Sequence, residues 1–238
     1  MNRILLVLLV LTIASLSFFT LNDLKLRSHI SHQIRGVDIS NQYSGELNWT
    51  ALDNDKDFVI LRAIRAVDTC KVEGQRKFSP IVDRNFSKNW NSLKKRGIVR
   101  GAYHFFAPDV SAEIQFNVFR QTVQLEKGDL PPILDVENAN CNMDEAFKWL
   151  SLAKQHYGID PILYSEYFFY KLFLKQRNQH YPTWLYINEN FMFMPDFKEP
   201  ACLFWQYRQD KELSGFQESV DFNIFLGDSS DFSRLLIR

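Results

Sequence analysis

From residue 35 onward, short apolar runs alternate with longer amphipathic stretches. "RGVDIS" reads as a short strand ended by a polar turn. "DFVILRAI" is almost unbroken in apolar character, as expected for a parallel strand covered on both faces. In "NFSKNWNSLKKRG", Phe86, Trp90 and Leu93 recur at helical spacing and Gly97 marks a stop. "IVRGAYHFF" is the next strand, and "SAEIQFNVFRQTVQLEKG" is a helix with a Ser N-cap that should run to Gly128. The strand "PPILDVE", the helix "NMDEAFKWLSLAKQHYG", the strand "PILYS" and the helix "EYFFYKLFLKQ" follow. Three late strands close the series: "PTWLYIN", "ACLFWQY" and "SVDFNIF". Repeated strand–helix units imply a parallel sheet with right-handed crossovers, and about eight strands favour a closed barrel. The late connections are short, so the barrel should be irregular. The expected fold class is α/β: an irregular TIM-like β/α barrel, one domain over residues 35–238, after an N-terminal hydrophobic segment.

That segment changes the picture of where the chain works. Arg3 precedes an uncharged run over residues 4–21. As one helix it would span about 27 Å, close to the hydrocarbon thickness of a bilayer. Two readings stay open for residues 1–21: a cleaved signal peptide with Ser15-Leu16-Ser17 near the cleavage site, or a retained signal anchor forming a membrane tether. Both export the body of the protein, to the periplasm or beyond. Residues 22–34 read as a polar linker.

The 238 residues, 46% hydrophobic and 15% aromatic, suit one large domain. Lys+Arg and Asp+Glu both number 28, and the missing basic excess argues against nucleic acid as a partner. Cys70, Cys141 and Cys202 show no metal-ligand spacing, and the 5 histidines include no clustered pair, so no metal and no other cofactor is expected. His104 reads as a hydrogen-bonded core histidine. An exported location permits a Cys70–Cys141 disulfide, with Cys202 a buried thiol.

In barrels of this kind the chemistry gathers at the C-terminal ends of the strands. Asp38 ends the first strand and Asp135 and Glu137 end the fourth. Tyr103 and Tyr164 close the third and fifth, and Trp184 lies in the sixth. Trp205 and Gln206 sit at the end of the seventh, and Asp221 lies in the eighth. Asp135 and Glu137, two apart on a strand, share a face with Cα atoms about 6.6 Å apart. Crowded carboxylates push one of the pair toward its acid form. An acid beside an ionised partner is what glycosidic cleavage requires. Asp38 and Asp221 should meet across the barrel closure. The residues alone leave a second reading open, in which Asp135 caps the next segment and Glu137 pairs with an arginine.

The motifs carry a resemblance. "GVDISNQYSGELNW", "FVILRA", Asp83-x-x-Phe86-x-x-Asn89, "RGIVRGAYHFF", "LPPILDVE", "PILYS", "WQY" and "VDFNIFLG" fall in the order seen in family-25 glycoside hydrolases. These are lysozymes of the N-acetylmuramidase type, and the similarity runs from about Arg35 to Gly227. The resemblance implies an irregular β/α barrel that cleaves the β-1,4 bond between N-acetylmuramic acid and N-acetylglucosamine without a metal. It implies Glu137 as general acid, Asp135 as its partner carboxylate, and Asp38 and Asp221 as outer acidic positions. Tyr103, Tyr164, Trp184, Trp205 and Gln206 are implied to line the saccharide groove. Peptidoglycan strands are the implied partner, bound by a monomer. One departure stands out: where the family usually has a run like K-A-T-E-G, this chain has "RAIRA", so Arg65 replaces an acid in the groove wall. That swap motivates an alternative, a glycan-binding module for peptidoglycan or a chitin-like polymer with weakened catalysis.

Overall fold

Strand alternation sorts this chain's side chains into two apolar layers and one polar mouth. The computed structural model describes residues 34–40, 56–72, 75–191, 202–212 and 219–238, with isolated positions at 12, 17, 47, 49 and 197. The signal and tether readings for residues 1–34 otherwise lie outside the described residues. The strands are β1 (Arg35–Ile39), β2 (Phe58–Val72), β3 (Gln75–Val82), β4 (Val99–Phe105), β5 (Ile133–Asp135), β6 (Ile162–Glu166), β7 (Thr183–Tyr186), β8 (Cys202–Glu212) and β9 (Ser219–Phe225). They form one sheet in the order β1-β9-β8-β7-β6-β5-β4-β2-β3, and β1 also pairs with β2. That extra pairing closes every strand except β3 into a barrel.

Residues on alternate sides of each strand serve different cores. Val37, Val59, Leu61, Leu134, Leu163 and Leu185 face outward into the layer beneath the helices. Phe58, Ile60, Ile133, Ile162, Phe204 and Phe225 fill the barrel interior. Phe58 needs room there: a Cβ on Gly36 would come within 2.3 Å of its ring. Phe232 of α5 (Ser229–Leu235) plugs the lower end, its ring 5.1 Å from Phe225 and 5.7 Å from Phe58. Above this plug the inward positions turn polar.

The helices pack outside. In α1 (Phe86–Arg96), Phe86, Trp90 and Leu93 are buried, and Gly97 adopts the left-handed φ of 69° that ends the helix. α2 (Ala112–Thr122) is capped by Ser111, and α3 (Met143–Tyr157) by Asn142, whose side chain accepts from Asp144 and Glu145 N–H. Below α1, Arg100 forms a buried fork with Asp129, at 2.7 and 3.1 Å, and lies 4.0 Å from the Trp90 ring centroid.

Four features depart from the sequence reading. β9 runs antiparallel to both β8 and β1, because residues 213–218 are too few for a crossover of about a dozen residues. β2 continues past the barrel into a hairpin with β3, which the sequence reading missed. α2 stops at Thr122, not Gly128: Val123 turns extended and its carbonyl accepts from the Tyr157 hydroxyl at 3.3 Å. Gly128 instead supplies a φ of 93° in the turn whose Asp129 carboxylate accepts from Glu126 N–H at 2.8 Å. The "EYFFYKLFL" helix is a short α4 (Tyr167–Phe169) that widens into a π-turn over Tyr170–Leu174, with Lys175 N–H donating to Tyr170 O.

Cys141 and Cys202 are buried free thiols. The Cys70 side chain lies outside the described residues, and Cys141 Sγ donates to Phe106 O at 3.9 Å. His104 is fully buried on the outward face of β4, where Nε2 is 2.9 Å from Gln115 Oε1. Burial pulls it down to about 4, so it is a neutral structural histidine.

Candidate active site

At the mouth of the barrel a cavity of about 180 Å3 opens among Asp38, Arg62, Tyr103, Asp135, Glu137, Tyr164, Trp184, Gln206 and Asp221, with Ser40, Phe105 and Gln209 at its margin. Each arrives by strand parity. Phe58 and Ile60 face inward on β2, and Arg62 is the next inward position; Ile162 on β6 is followed by Tyr164, and Ile133 on β5 by Asp135. Because β9 runs against its neighbours, its beginning reaches the mouth, which brings Asp221 there as the Cα partner of Asp38.

The carboxylates crowd one another. Asp135 and Asp38 are 5% and 6% exposed. Burial raises Asp135 well above the usual range, Glu137 and Asp38 add to the rise, and Arg62 opposes it. Burial likewise raises Asp38, with repulsion from Asp221 next, against hydrogen bonds from Asn223 and Gln206. Asp135 Oδ1 is buried and has no hydrogen-bond partner among the described residues. Glu137 lies just past β5, where the residue is open to solvent while its carboxyl group is crowded by the cleft walls. That local burial, with the charges of Glu166 and Asp221, pushes Glu137 up to about 7.

The aromatic residues form the wall and floor. The Tyr164 and Trp184 ring centroids are 4.4 Å apart, and Tyr103 meets Trp184 edge-on at 6.3 Å. Trp184 donates Nε1–H to Asn223 Oδ1 at 2.8 Å. Gln206 is buried, and both its amide ends are taken by protein groups: Tyr164, Asp38 and Asp221. It braces the floor of the cleft, which it lines.

Two residues expected in the groove lie elsewhere. Trp205 is fully buried on the outward face of β8 with Ile187, Tyr207 and Ile224, and its Nε1–H donates to Ile187 O at 2.8 Å. Gln206 points inward, so its neighbour Trp205 must point outward. Arg65 is not among the cavity-lining residues: it lies on the β2 extension opposite Ile81 of β3, and its charge acts on Asp83. Arg62, which the sequence reading missed, occupies the wall instead. Its Nε donates to Asp83 Oδ2 at 3.1 Å, so the buried Asp83 holds the guanidinium in place. Glu166 was missed too; it acts on Glu137 by charge and caps α4 through Phe169 N–H at 2.8 Å. Parity was the available signal: Arg62 follows Phe58 and Ile60, and Glu166 follows Ile162 and Tyr164. Among the described residues no group of His, Cys, Asp and Glu is arranged to hold a metal ion.

An acid poised near neutrality, a buried carboxylate with an open acceptor atom and an aromatic floor can together protonate a leaving oxygen and steady a positive centre beside it. Comparison with known proteins agrees with that chemistry. The sequence profile of "Glycosyl hydrolases family 25" matches residues 37–216. The protein YegX of Escherichia coli K12, described as uncharacterized, is 32% identical over 207 residues, covering 85% of this chain and 73% of its own. Lysozyme M1 of Streptomyces globisporus is 23% identical over 217 residues, covering 83% of this chain and 69% of its own. A family 25 glycosyl hydrolase structure from Bacillus anthracis superposes with a TM-score of 0.71 at 28% identity, covering 87% of this chain and 95% of that one.

Proposed function

The chain belongs to glycosyl hydrolase family 25, and on that premise we propose that it is a lysozyme, cleaving the β-1,4 bond between N-acetylmuramic acid and N-acetylglucosamine in peptidoglycan. The observation that carries the reading is the pairing on one strand end of Glu137, at about 7, with the buried Asp135. Glu137 protonates the glycosidic oxygen as the bond breaks. Asp135 lines the cleft with its Oδ1 unpartnered among the described residues, and the N–H of a 2-acetamido group is a fitting donor for that carboxylate. Held in that way, the acetamido oxygen can assist at the anomeric carbon. Asp38 and Asp221 keep the mouth acidic, and Tyr103, Tyr164 and Trp184 line the cleft where the sugar would sit. The match to Lysozyme M1 supports the same substrate class.

Export and membrane tethering are part of the proposal and rest on the uncharged run at residues 4–21. The lapsed-module alternative was motivated by Arg65, which is not among the residues lining the cleft. Release of reducing ends from purified peptidoglycan tests the proposal. The wild type should release them, and Glu137→Gln should lose about a hundredfold or more in kcat with its fold intact. Saccharide binding without product from the wild type would favour the lapsed module.

A further inference from the structure

Among the described residues that line the cleft, Arg62 is the only cation, and its side chain is 10% exposed. A guanidinium that is nine-tenths buried needs its donors satisfied. Among the described residues its one hydrogen bond runs from Nε to Asp83 Oδ2, at 3.1 Å. Nη2 lies 3.1 Å from the same oxygen, an ion-pair contact that leaves Nη2 without a hydrogen bond. A guanidinium is planar and carries five N–H donors. With the Nε side held against Asp83, the edge formed by Nη1 and Nη2 remains for what enters the cleft. Strand order fixes where that edge stands. β2 pairs with β4, with Arg62 opposite Tyr103, and β4 pairs with β5, with Phe105 opposite Asp135. β6, which ends in Glu166, lies on the other side of β5. Arg62 acts by charge on Asp135, whereas Glu166 acts on Glu137. The cation therefore stands on the flank of Asp135 away from Glu166.

We propose that Arg62 is the residue that distinguishes muramic acid from glucosamine: its remaining guanidinium edge donates to the carbonyl oxygen of the lactyl group on C3 of N-acetylmuramic acid. The proposal rests on the lysozyme reading of the cleft. On that sugar the leaving oxygen, the acetamido group and the lactyl ether sit on three consecutive ring carbons. Glu137 serves the first and Asp135 the second. The group that serves the third belongs beside Asp135 on its other flank, and there the cleft offers Arg62. N-acetylglucosamine carries only a hydroxyl on C3, which reaches less far and gives the guanidinium no carbonyl. A neutral acceptor suits this place better than a second anion, because Asp38, Asp135 and Glu137 line the same cavity and would repel a free carboxylate. Where a stem peptide is attached, the lactyl carboxyl is an amide and presents such a neutral oxygen. Asp83 holds the guanidinium from behind, so little side-chain freedom is lost when the sugar binds.

Two neutral tetrasaccharides of equal length test it: chitotetraose, and its counterpart in which alternate sugars carry a lactyl group capped with L-alaninamide. Binding is measured by calorimetry on the full-length Glu137→Gln protein, so that neither sugar is cut. The muramyl sugar should bind about tenfold tighter or more, as one hydrogen bond from a charged donor allows. Adding Arg62→Met together with Asp83→Asn removes the cation and its buried partner in one step, which avoids a stranded charge. The preference should then fall at least about threefold. A smaller fall, or no preference before the substitution, overturns the proposal. A second reading needs no change at Arg62. Its guanidinium 15N signals, assigned by through-bond correlation, should shift with the muramyl sugar and not with chitotetraose. Equal responses to the two sugars overturn the proposal as well. Neither measurement involves cleavage. A wild type that shows the preference and cuts no peptidoglycan would sink the lysozyme reading alone; one that cuts peptidoglycan while Arg62 ignores the lactyl group would sink this inference alone.

Discussion

Asp38 and Asp221 face each other as Cα partners across the antiparallel seam that closes the barrel, and one amide, that of Gln206, donates to both. The seam therefore gathers negative charge beside Glu137, the proposed general acid. Asp221 is among the groups that raise Glu137. Asp221→Asn removes that charge, so the Glu137 pKa should drop. The high-pH limb of kcat/KM, where the acid is lost, should move below about 7. A limb that moves upward contradicts the assignment.

The wild-type enzyme should show a kcat/KM that depends on pH through both carboxyl groups. Activity falls above about 7 as Glu137 gives up its proton. It falls at low pH as Asp135 becomes protonated, and because Asp135 is raised well above the usual carboxylate range, that limb also sits high. A flat profile through pH 7 would deny Glu137 its role.

The raised acid also leaves a mark on stability. Its folded pKa lies above its unfolded value, so the folded state binds the extra proton between roughly pH 4.5 and 7. The stabilising contribution is complete below the unfolded pKa and disappears as pH rises through about 7. Glu137→Gln should therefore be more stable than wild type at pH 8, by about 1 kcal/mol after solvent screening. The gap should close at pH 4. Urea midpoints at the two pH values measure it.

Arg62 and Asp83 form a second coupled pair, with side chains 10% and 4% exposed. Arg62→Met removes a charge that lowers Asp135, so the low-pH limb of the activity profile should shift upward. It also leaves Asp83 buried without its partner, at a cost of about 3 kcal/mol. Denaturation and the pH profile read the two effects separately.

Packing inside the barrel makes a simpler prediction. Gly36→Ala would place a methyl group 2.3 Å from the Phe58 ring, in an interior with no room to yield. The expected loss is about 2 to 3 kcal/mol, seen as a lower urea midpoint.

Strand parity explains how much of this could be read in advance. The barrel strands and the acids Asp38, Asp135, Glu137 and Asp221 were legible, because an apolar run that ends in a charge exposes its own direction. Trp205 and Gln206 were both placed in the groove, although adjacent strand residues face opposite sides. Arg62 was passed over inside "FVILRAI", where its parity with Phe58 and Ile60 pointed inward. The β2–β3 hairpin carried a local sign in Glu73-Gly74, a glycine-containing pair between strand-like runs. The direction of β9 followed from a connection too short to cross over. The network through Asn223 and Gln206 was not legible, since it depends on which strands become neighbours at the closure.

The most direct test of the central claim is mass spectrometry of the fragments released from purified peptidoglycan. Cleavage by this enzyme should leave N-acetylmuramic acid at every new reducing end. Reducing-end N-acetylglucosamine, or intact glycan strands after prolonged incubation with the folded wild-type protein, would contradict it.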